Sequence, residues 1–173
     1  YNSEDSIAAT IATVQAQEYA NWELIISDDA SRDRTGAICR EAAAEDERIR
    51  YFHQGKNLGL AGNFEYCLQQ AGGKFFMWLS NDDQIEPRVL SEYVAFLEGH
   101  PDYALVMGKI NYWRGEEIYA VEKGFNLSQE ASLKRTLSYY RQVKHGGMLY
   151  GLFRAEMGRK LRFRSILGND WHF

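Results

Sequence analysis

The chain has 173 residues, 45% of them hydrophobic and 25% charged, with a net charge of −4. That length suits one domain with a single sizeable core, and the composition excludes long disorder. The acidic balance speaks against a general nucleic-acid binder, and no apolar run approaches the ~18 residues needed to span a bilayer.

In chain order, Ser3 is a candidate helix cap, and Ile7, Ile11 and Val14 follow at helical spacing, giving an amphipathic helix ending near Glu18. "WELIISDD" (Trp22–Asp29) reads as an apolar strand with an acidic end. "SRDRTGAICREAAAED" reads as a helix weakened by Gly36, and "RIRYFHQ" as an alternating strand. After the glycine-bearing loop "GKNLGLAGN", Leu60, Phe64 and Leu68 mark another helix, closed by Gly72-Gly73. "KFFMWLSNDD" is a strand that ends in Asp82-Asp83. Pro87 opens a helix carrying Leu90, Val94 and Leu97, and Gly99 and Pro101 end it.

Beyond Asp102 the pattern changes. "ALVMGKINYW" and "EEIYAVE" flank Arg114-Gly115 as a strand pair. A helix spans about Gln129 to Arg141, and "GGMLYGLFR" is a last strand. The alternation of helix and strand predicts an α/β fold, with a mostly parallel central sheet flanked by helices on both faces. Cys39 and Cys67 fall in predicted helices and read as small buried residues, not as a disulfide or metal pair, which fits a reducing, cytoplasmic setting.

Two strands finish in acid pairs, Asp28-Asp29 and Asp82-Asp83. In open parallel sheets, ligands bind beyond the carboxyl ends of the strands. Four carboxylates on one rim repel unless something positive lies among them. A hard divalent cation, Mn²⁺ or Mg²⁺, prefers such oxygens and leaves positions open for phosphate. Either pair alone is better read as a cap for the next helix; two pairs at corresponding places favour the ligand reading. The chain has no phosphate loop G-x-x-x-x-G-K-[ST], no G-x-G-x-x-G and no nucleophile elbow G-x-S-x-G. Its histidines lack metal-site spacing.

These residues resemble the family 2 glycosyltransferases. "YNSEDSIAATIATVQAQEYANWELIISDDASRDRT" is similar to the family's opening, with a Y-N pair, a helix, a strand and a D-D-x-S-x-D-x-T turn. "NLGLAGNFEYCLQQAGGKFFMWLSNDDQIEP" is similar to its N-x-G…DD…P segment, and "YGLFR" and "GNDW" to its later motifs. The resemblance implies the nucleotide-sugar-binding GT-A fold over residues 1–173 as a single domain. It implies an inverting, metal-dependent transfer of a sugar from a UDP- or GDP-sugar donor to a saccharide or lipid-linked saccharide acceptor. By the same resemblance, Tyr1 lies against the nucleobase, Asp29 bonds its edge, Asp82 contacts the ribose or seconds the metal, and Asp83 binds Mn²⁺ or Mg²⁺. Asp170 is the general base; a helix cap is its alternative reading. The implied setting is bacterial surface-polysaccharide synthesis, in the cytoplasm or peripherally at the inner face of the membrane, with no nucleic-acid partner.

The chain departs from the family at Ala30, where Gly is common, and at Ser80, where a third acid is common. It also lacks the basic residue many members carry within Leu60–Phe64, so Lys56, Lys144, His145 and Arg154 are the candidates for a phosphate contact. The family places a central strand just before Tyr1, so the native chain is expected to extend upstream, and further elements are expected after the C-terminal end. The alternatives are a sugar-nucleotide nucleotidyltransferase, which shares the sheet type and metal logic, and a non-catalytic nucleotide- or sugar-binding module.

Overall fold

The computed structural model describes residues 1–142 and 147–160. Its elements are α1 (Ile7–Gln15), β1 (Leu24–Asp28), α2 (Thr35–Glu45), β2 (Ile49–His53), α3 (Gly59–Gln70), β3 (Phe75–Phe76) and α4 (Val89–Gly99). They are followed by β4 (Leu105–Val106), β5 (Ile110–Arg114), β6 (Glu117–Glu122), α5 (Ser132–Gln142), a 3₁₀ turn at Gly147–Tyr150, β7 (Leu152–Arg154) and α6 (Ala155–Gly158).

β1 and β2 pair in parallel, Leu24 opposite Ile49 and Asp28 opposite His53. Side chains alternate across a strand, and both faces of this pair are covered. Leu24 and Ile26 pack with Ile7, Ile11, Cys39 and Ile49 under α1 and α2. On the other face, Ser27 bonds Asn63 of α3, and the Phe52 ring meets Tyr66 of α3 edge-on at 5.6 Å. The predicted parallel strands with helices on both faces are therefore present here.

Elsewhere the sheet differs from the sequence reading. β3 and β4 both pair antiparallel with β7, in the order β3-β7-β4. The stretch from Lys74 forms a ladder only at Phe75–Phe76, because Met77–Ser80 have no strand partner among the described residues. "ALVMGKINYW" divides into β4 and β5, and β5 pairs with β6 as an antiparallel hairpin. "GGMLYGLFR" divides into the 3₁₀ turn and β7. A second core gathers around β3 and β7. The ring of Trp78 lies 4.8 Å from Phe76, 5.0 Å from Phe153 and 5.5 Å from Phe64, with Leu68 and Ala155 closing the cluster.

Between the two cores lies a cavity of about 590 Å³. Leu24 and Ile25 of β1 line one side, and Phe75 to Leu79 line the other. Among the described residues β1 has β2 as its one hydrogen-bonded strand neighbour, and β3 has β7. The indole N–H of Trp22, a residue that also lines this cavity, is buried with no hydrogen-bond partner among the described residues.

Both cysteines are free. Burial pushes each thiol up to about 11, so both are protonated at neutral pH. Arg154 closes the C-terminal end of α4. Its guanidinium donates to the carbonyls of Leu97 (2.7 Å), Tyr103 (2.9 Å) and His100 (3.1 Å). Replacing Arg154 with Met removes this donor from all three carbonyls, of which His100 keeps the Tyr103 N–H, and is expected to cost about 2–4 kcal/mol, read as a lower urea midpoint. Arg154→Lys restores little, since one ammonium lacks the planar fork that reaches all three.

Candidate functional site

The carboxyl end of β1 carries Asp28 and Asp29, both buried, at 3% and 5% exposure. Their surroundings explain how two adjacent acids survive there. Asp28 accepts from the Tyr51 hydroxyl at 2.8 Å, from the Ser31 N–H at 2.9 Å and lies 3.1 Å from His53 Nδ1. Burial opposes its ionisation, but the bonds from Ser31, His53 and Tyr51 outweigh it and lower the carboxyl to about 2. Tyr51 responds in the opposite sense: burial, then the bond to Asp28, raise its hydroxyl to about 12. Gly36 in α2 is required by this cluster, since a Cβ there would lie 2.8 Å from the Tyr51 hydroxyl oxygen.

Asp29 faces the loop before α3. Its carboxylate accepts from the backbone N–H of Leu58 and, at 3.1 Å, from that of Gly59. Asn57 Oδ1 accepts from the same Gly59 N–H at 2.9 Å, and Gly59 has φ +72°, which only glycine adopts readily. The glycine-bearing loop thus grips a carboxylate of its own chain. Ala30 follows with φ +65°, the left-handed conformation in which the family commonly has glycine.

The first residues lie at the same rim. The Asn2 N–H donates to Ser31 Oγ (2.9 Å), Ser3 N–H to Thr35 Oγ1 (2.7 Å) and Glu4 N–H to Asp33 Oδ2 (3.1 Å). Asn2 Oδ1 and Glu4 Oε2 in turn accept from the N–H groups of Arg32 and Arg34. Tyr1 is therefore held beside the turn after Asp29, with its side chain 54% exposed.

Asp82 and Asp83 stand in a different environment. Both are exposed. Ser80 Oγ donates to Asp82 Oδ1 at 2.7 Å, and the Asp83 N–H donates to the Ser80 carbonyl at 3.2 Å. Among the described residues no ion pair includes either acid. Desolvation by the protein on one side, then the charge of Asp82, raise Asp83 above the usual carboxylate range. Two sequence-distant hydroxyls share this field: Tyr112 on β5 is raised by burial and Glu122 and, more weakly, by Asp83; Tyr150 by burial, then by Asp83 and Asp82. Aromatic content was the sole sequence signal for Tyr112 and Tyr150.

The turn bearing Asp82-Asp83 is held by the polar side of α1 and the residues after it. Thr10 Oγ1 donates to the Asn81 carbonyl (3.0 Å), and Thr13 Oγ1 accepts from Ile85 N–H (3.4 Å). Gln17 Nε2 donates to the Glu86 carbonyl (2.8 Å) while its Oε1 accepts from Leu90 N–H (3.1 Å). Sequence reading identified only the apolar stripe of this helix. Thr10 and Gln17, seven residues apart on the adjoining side, were legible as helical spacing but not as a clamp.

The four acids do not converge on one ion. Among the described residues no group of three or more His, Cys, Asp or Glu side chains is placed to share a metal. The expectation that a cation balances all four is corrected: Asp28 and Asp29 are balanced by N–H and O–H donors of the protein. Asp82 and Asp83 keep unused oxygens, and among the described residues neither has a counter-charge. Such a pair fits Mg²⁺ or Mn²⁺, which commonly take one or two carboxylates and fill the other positions with water and phosphate. Asp170, Lys144 and His145 lie outside the described residues. Arg154 is spent on α4, so Lys56, exposed in the loop beside Asp29, is the described candidate left for a phosphate contact.

The sequence model of glycosyl transferase family 2 matches residues 1–158. The chain belongs to this family. It is 28% identical over 179 aligned residues to the GalNAc(5)-diNAcBac-PP-undecaprenol beta-1,3-glucosyltransferase of Campylobacter jejuni, covering 98% of this chain and 54% of that protein. It is 40% identical over 107 residues to the putative glycosyltransferase EpsE of Bacillus subtilis, covering 61% of this chain and 38% of the relative. The chain thus spans about half or less of these relatives. Among solved structures, S. aureus TarS 1–349 superposes with a TM-score of 0.71 at 21% identity, over 91% of this chain and 45% of that one. TarS 1–349 in complex with UDP gives a TM-score of 0.69 at 19% identity, with the same coverage. The fold is of the GT-A type. Family membership removes the nucleotidyltransferase alternative.

The Asp28 cluster makes a pH prediction with a fixed sign. Its carboxyl lies at about 2 in the folded state against an ordinary 3.8. The associated stability, roughly 2 kcal/mol, is present above the unfolded value and is lost as pH falls toward the folded one. Urea unfolding followed from pH 5 downward is expected to show this loss, and Asp28→Asn to flatten it.

Proposed function

We propose that this chain forms the donor-binding part of an inverting glycosyltransferase that moves a sugar from a nucleotide-sugar donor to a hydroxyl of a lipid-linked saccharide, in bacterial polysaccharide synthesis. The observation that carries the proposal is the Asp82-Asp83 pair, which no cation among the described residues balances, presented on a family 2 scaffold by the clamp from α1 and Gln17. The printed acceptor of the C. jejuni relative, an undecaprenol-linked saccharide, supports the acceptor class. A solved structure of TarS with UDP-GlcNAc supports the donor class.

In this reading Asp83, seconded by Asp82, holds Mn²⁺ or Mg²⁺, which supplies neutralisation of the charge that builds on the departing diphosphate. Tyr1 lies beside the nucleobase. Asp29 has two backbone N–H donors already, and its remaining lone pairs accept from the base edge. Asp170 takes the proton from the acceptor hydroxyl as that oxygen bonds to the anomeric carbon. The bond from that carbon to the diphosphate breaks, and the nucleoside diphosphate leaves with the electron pair. A base on the side opposite the leaving group gives inversion, so it must come from a segment remote from Asp82-Asp83.

Thermal unfolding with UDP or GDP, with and without Mn²⁺, tests the site. The nucleotide is expected to stabilise the wild type far more when metal is present, and Asp83→Ala to abolish that coupling. Full metal dependence in the variant overturns the assignment. Asp170→Asn is expected to lower transfer by about 10²–10⁴-fold while nucleotide binding stays.

We also propose that the cavity between β1 and β3 takes a strand from residues preceding Tyr1 in the complete protein. Among the described residues both lining strands lack a partner on that side, the lining is mostly apolar, and Asn2–Glu4 are tied beside the end of β1. A strand leading into Tyr1 therefore arrives parallel to β1. Hydrogen exchange at Leu24–Asp28 is expected to be slower in a longer gene product than in this chain; equal rates count against the strand.

A further inference from the structure

Helix α5 lies on the domain by its polar side. None of its residues is buried. Ser138 and Tyr139 are half-buried, and the Tyr139 ring meets Phe125 at 6.1 Å. Leu133, Leu137 and Tyr140 recur at i, i+4 and i+7, so they form one stripe. At ~100° per residue that stripe points about 180° away from the side bearing Ser138 and Tyr139. Its members are 69%, 48% and 72% exposed. The contrast with α1, α3 and α4 is direct, since each of those buries leucine or isoleucine against the domain. Leaving an apolar stripe in water forfeits the burial that usually stabilises a helix of this length.

The charges around the stripe indicate what covers it. α5 contains Lys134, Arg135 and Arg141 and no acidic residue, in a chain whose net charge is −4. Arg135 turns back to the carbonyls of Gln129 and Glu130 at 2.6 and 2.7 Å. Lys134 and Arg141 flank the stripe on one side and are exposed. Among the described residues neither is in an ion pair. An apolar stripe bordered by cations is the pattern of a helix lying in the headgroup layer of an anionic membrane. No helix among the described residues is long and apolar enough to cross one.

We infer that α5 is a membrane-surface contact, with Leu133, Leu137 and Tyr140 in the headgroup layer and Lys134 and Arg141 on anionic headgroups. The inference rests on the proposed function for its lipid-linked acceptor, which lives in such a membrane. A domain held at the surface keeps its acceptor site at the depth where the saccharide emerges.

The test is sedimentation with phosphatidylcholine vesicles, with and without phosphatidylglycerol. The chain is expected to sediment with the anionic vesicles, to be released by salt, and to ignore the neutral ones. Leu133→Ser/Leu137→Ser/Tyr140→Ser is expected to weaken partition about ten-fold or more at an unchanged melting temperature, because the stripe is exposed. Lys134→Glu/Arg141→Glu is expected to remove the preference for anionic lipid. Absence of wild-type binding, or equal binding by the triple variant, overturns the inference. So does a wild-type dimer that the triple variant dissolves, or protection of the stripe from hydrogen exchange in a longer gene product without lipid. Nucleotide titration of the same variants separates the two proposals: loss of vesicle binding with metal-coupled nucleotide binding intact removes only the membrane contact.

Discussion

Two adjacent carboxylates are buried at the end of β1, and the rim around them is arranged to keep them charged. A buried carboxylate without donors is costly enough that it would protonate or the segment would unfold. Asp28 and Asp29 avoid both outcomes by facing opposite ways. Asp28 draws in β2 through Tyr51 and His53 and the turn before α2 through Ser31. Asp29 draws in the loop before α3 through Leu58 and Gly59. The tight points of the rim follow from this arrangement. Gly36 makes room for Tyr51, Gly59 adopts a left-handed turn, and Ala30 adopts a left-handed conformation directly after the acids.

The second acid pair has less compensation among the described residues. There Asp82 receives one hydroxyl, from Ser80, and Asp83 no side-chain donor, while desolvation and then the charge of its neighbour raise the Asp83 pKa. Structural carboxylates gather donors, whereas a pair left short of them is poised for a ligand from outside. The clamp from Thr10, Thr13 and Gln17 fixes the backbone of this turn without touching the carboxylates. The turn is thus ordered and its charges stay available.

Two apolar surfaces lack a partner within the described chain, and they differ in kind. The cavity between β1 and β3 is concave, lined by strand edges, and suited to one more strand. The stripe on α5 is convex and bordered by cations. Strand edges want hydrogen bonds as well as apolar contact, and a convex stripe offers only contact and charge. The two features therefore call for different occupants.

Helix and strand order, the acidic strand ends and the family resemblance were all legible in the sequence, because hydrophobic periodicity and short motifs are local properties. The helices at Ile7, Thr35 and Val89 and the parallel β1–β2 pair came from that reading. So did the buried state of Cys39. Pairing between distant segments was not legible: β7 joins β3 antiparallel, a contact between residues about eighty apart that no local pattern records. Nor could the sequence tell Asp28-Asp29 from Asp82-Asp83, since each is an Asp pair after an apolar run. Only the tertiary structure decided that, among the described residues, the first pair is satisfied by the protein's own donors and the second is not, because hydrogen-bond donors arrive from elements remote in the chain. The same holds for Arg154 and for the stripe of α5. Residue type marked both as candidates for contact, and packing alone determined that the cation is turned inward and the leucines outward.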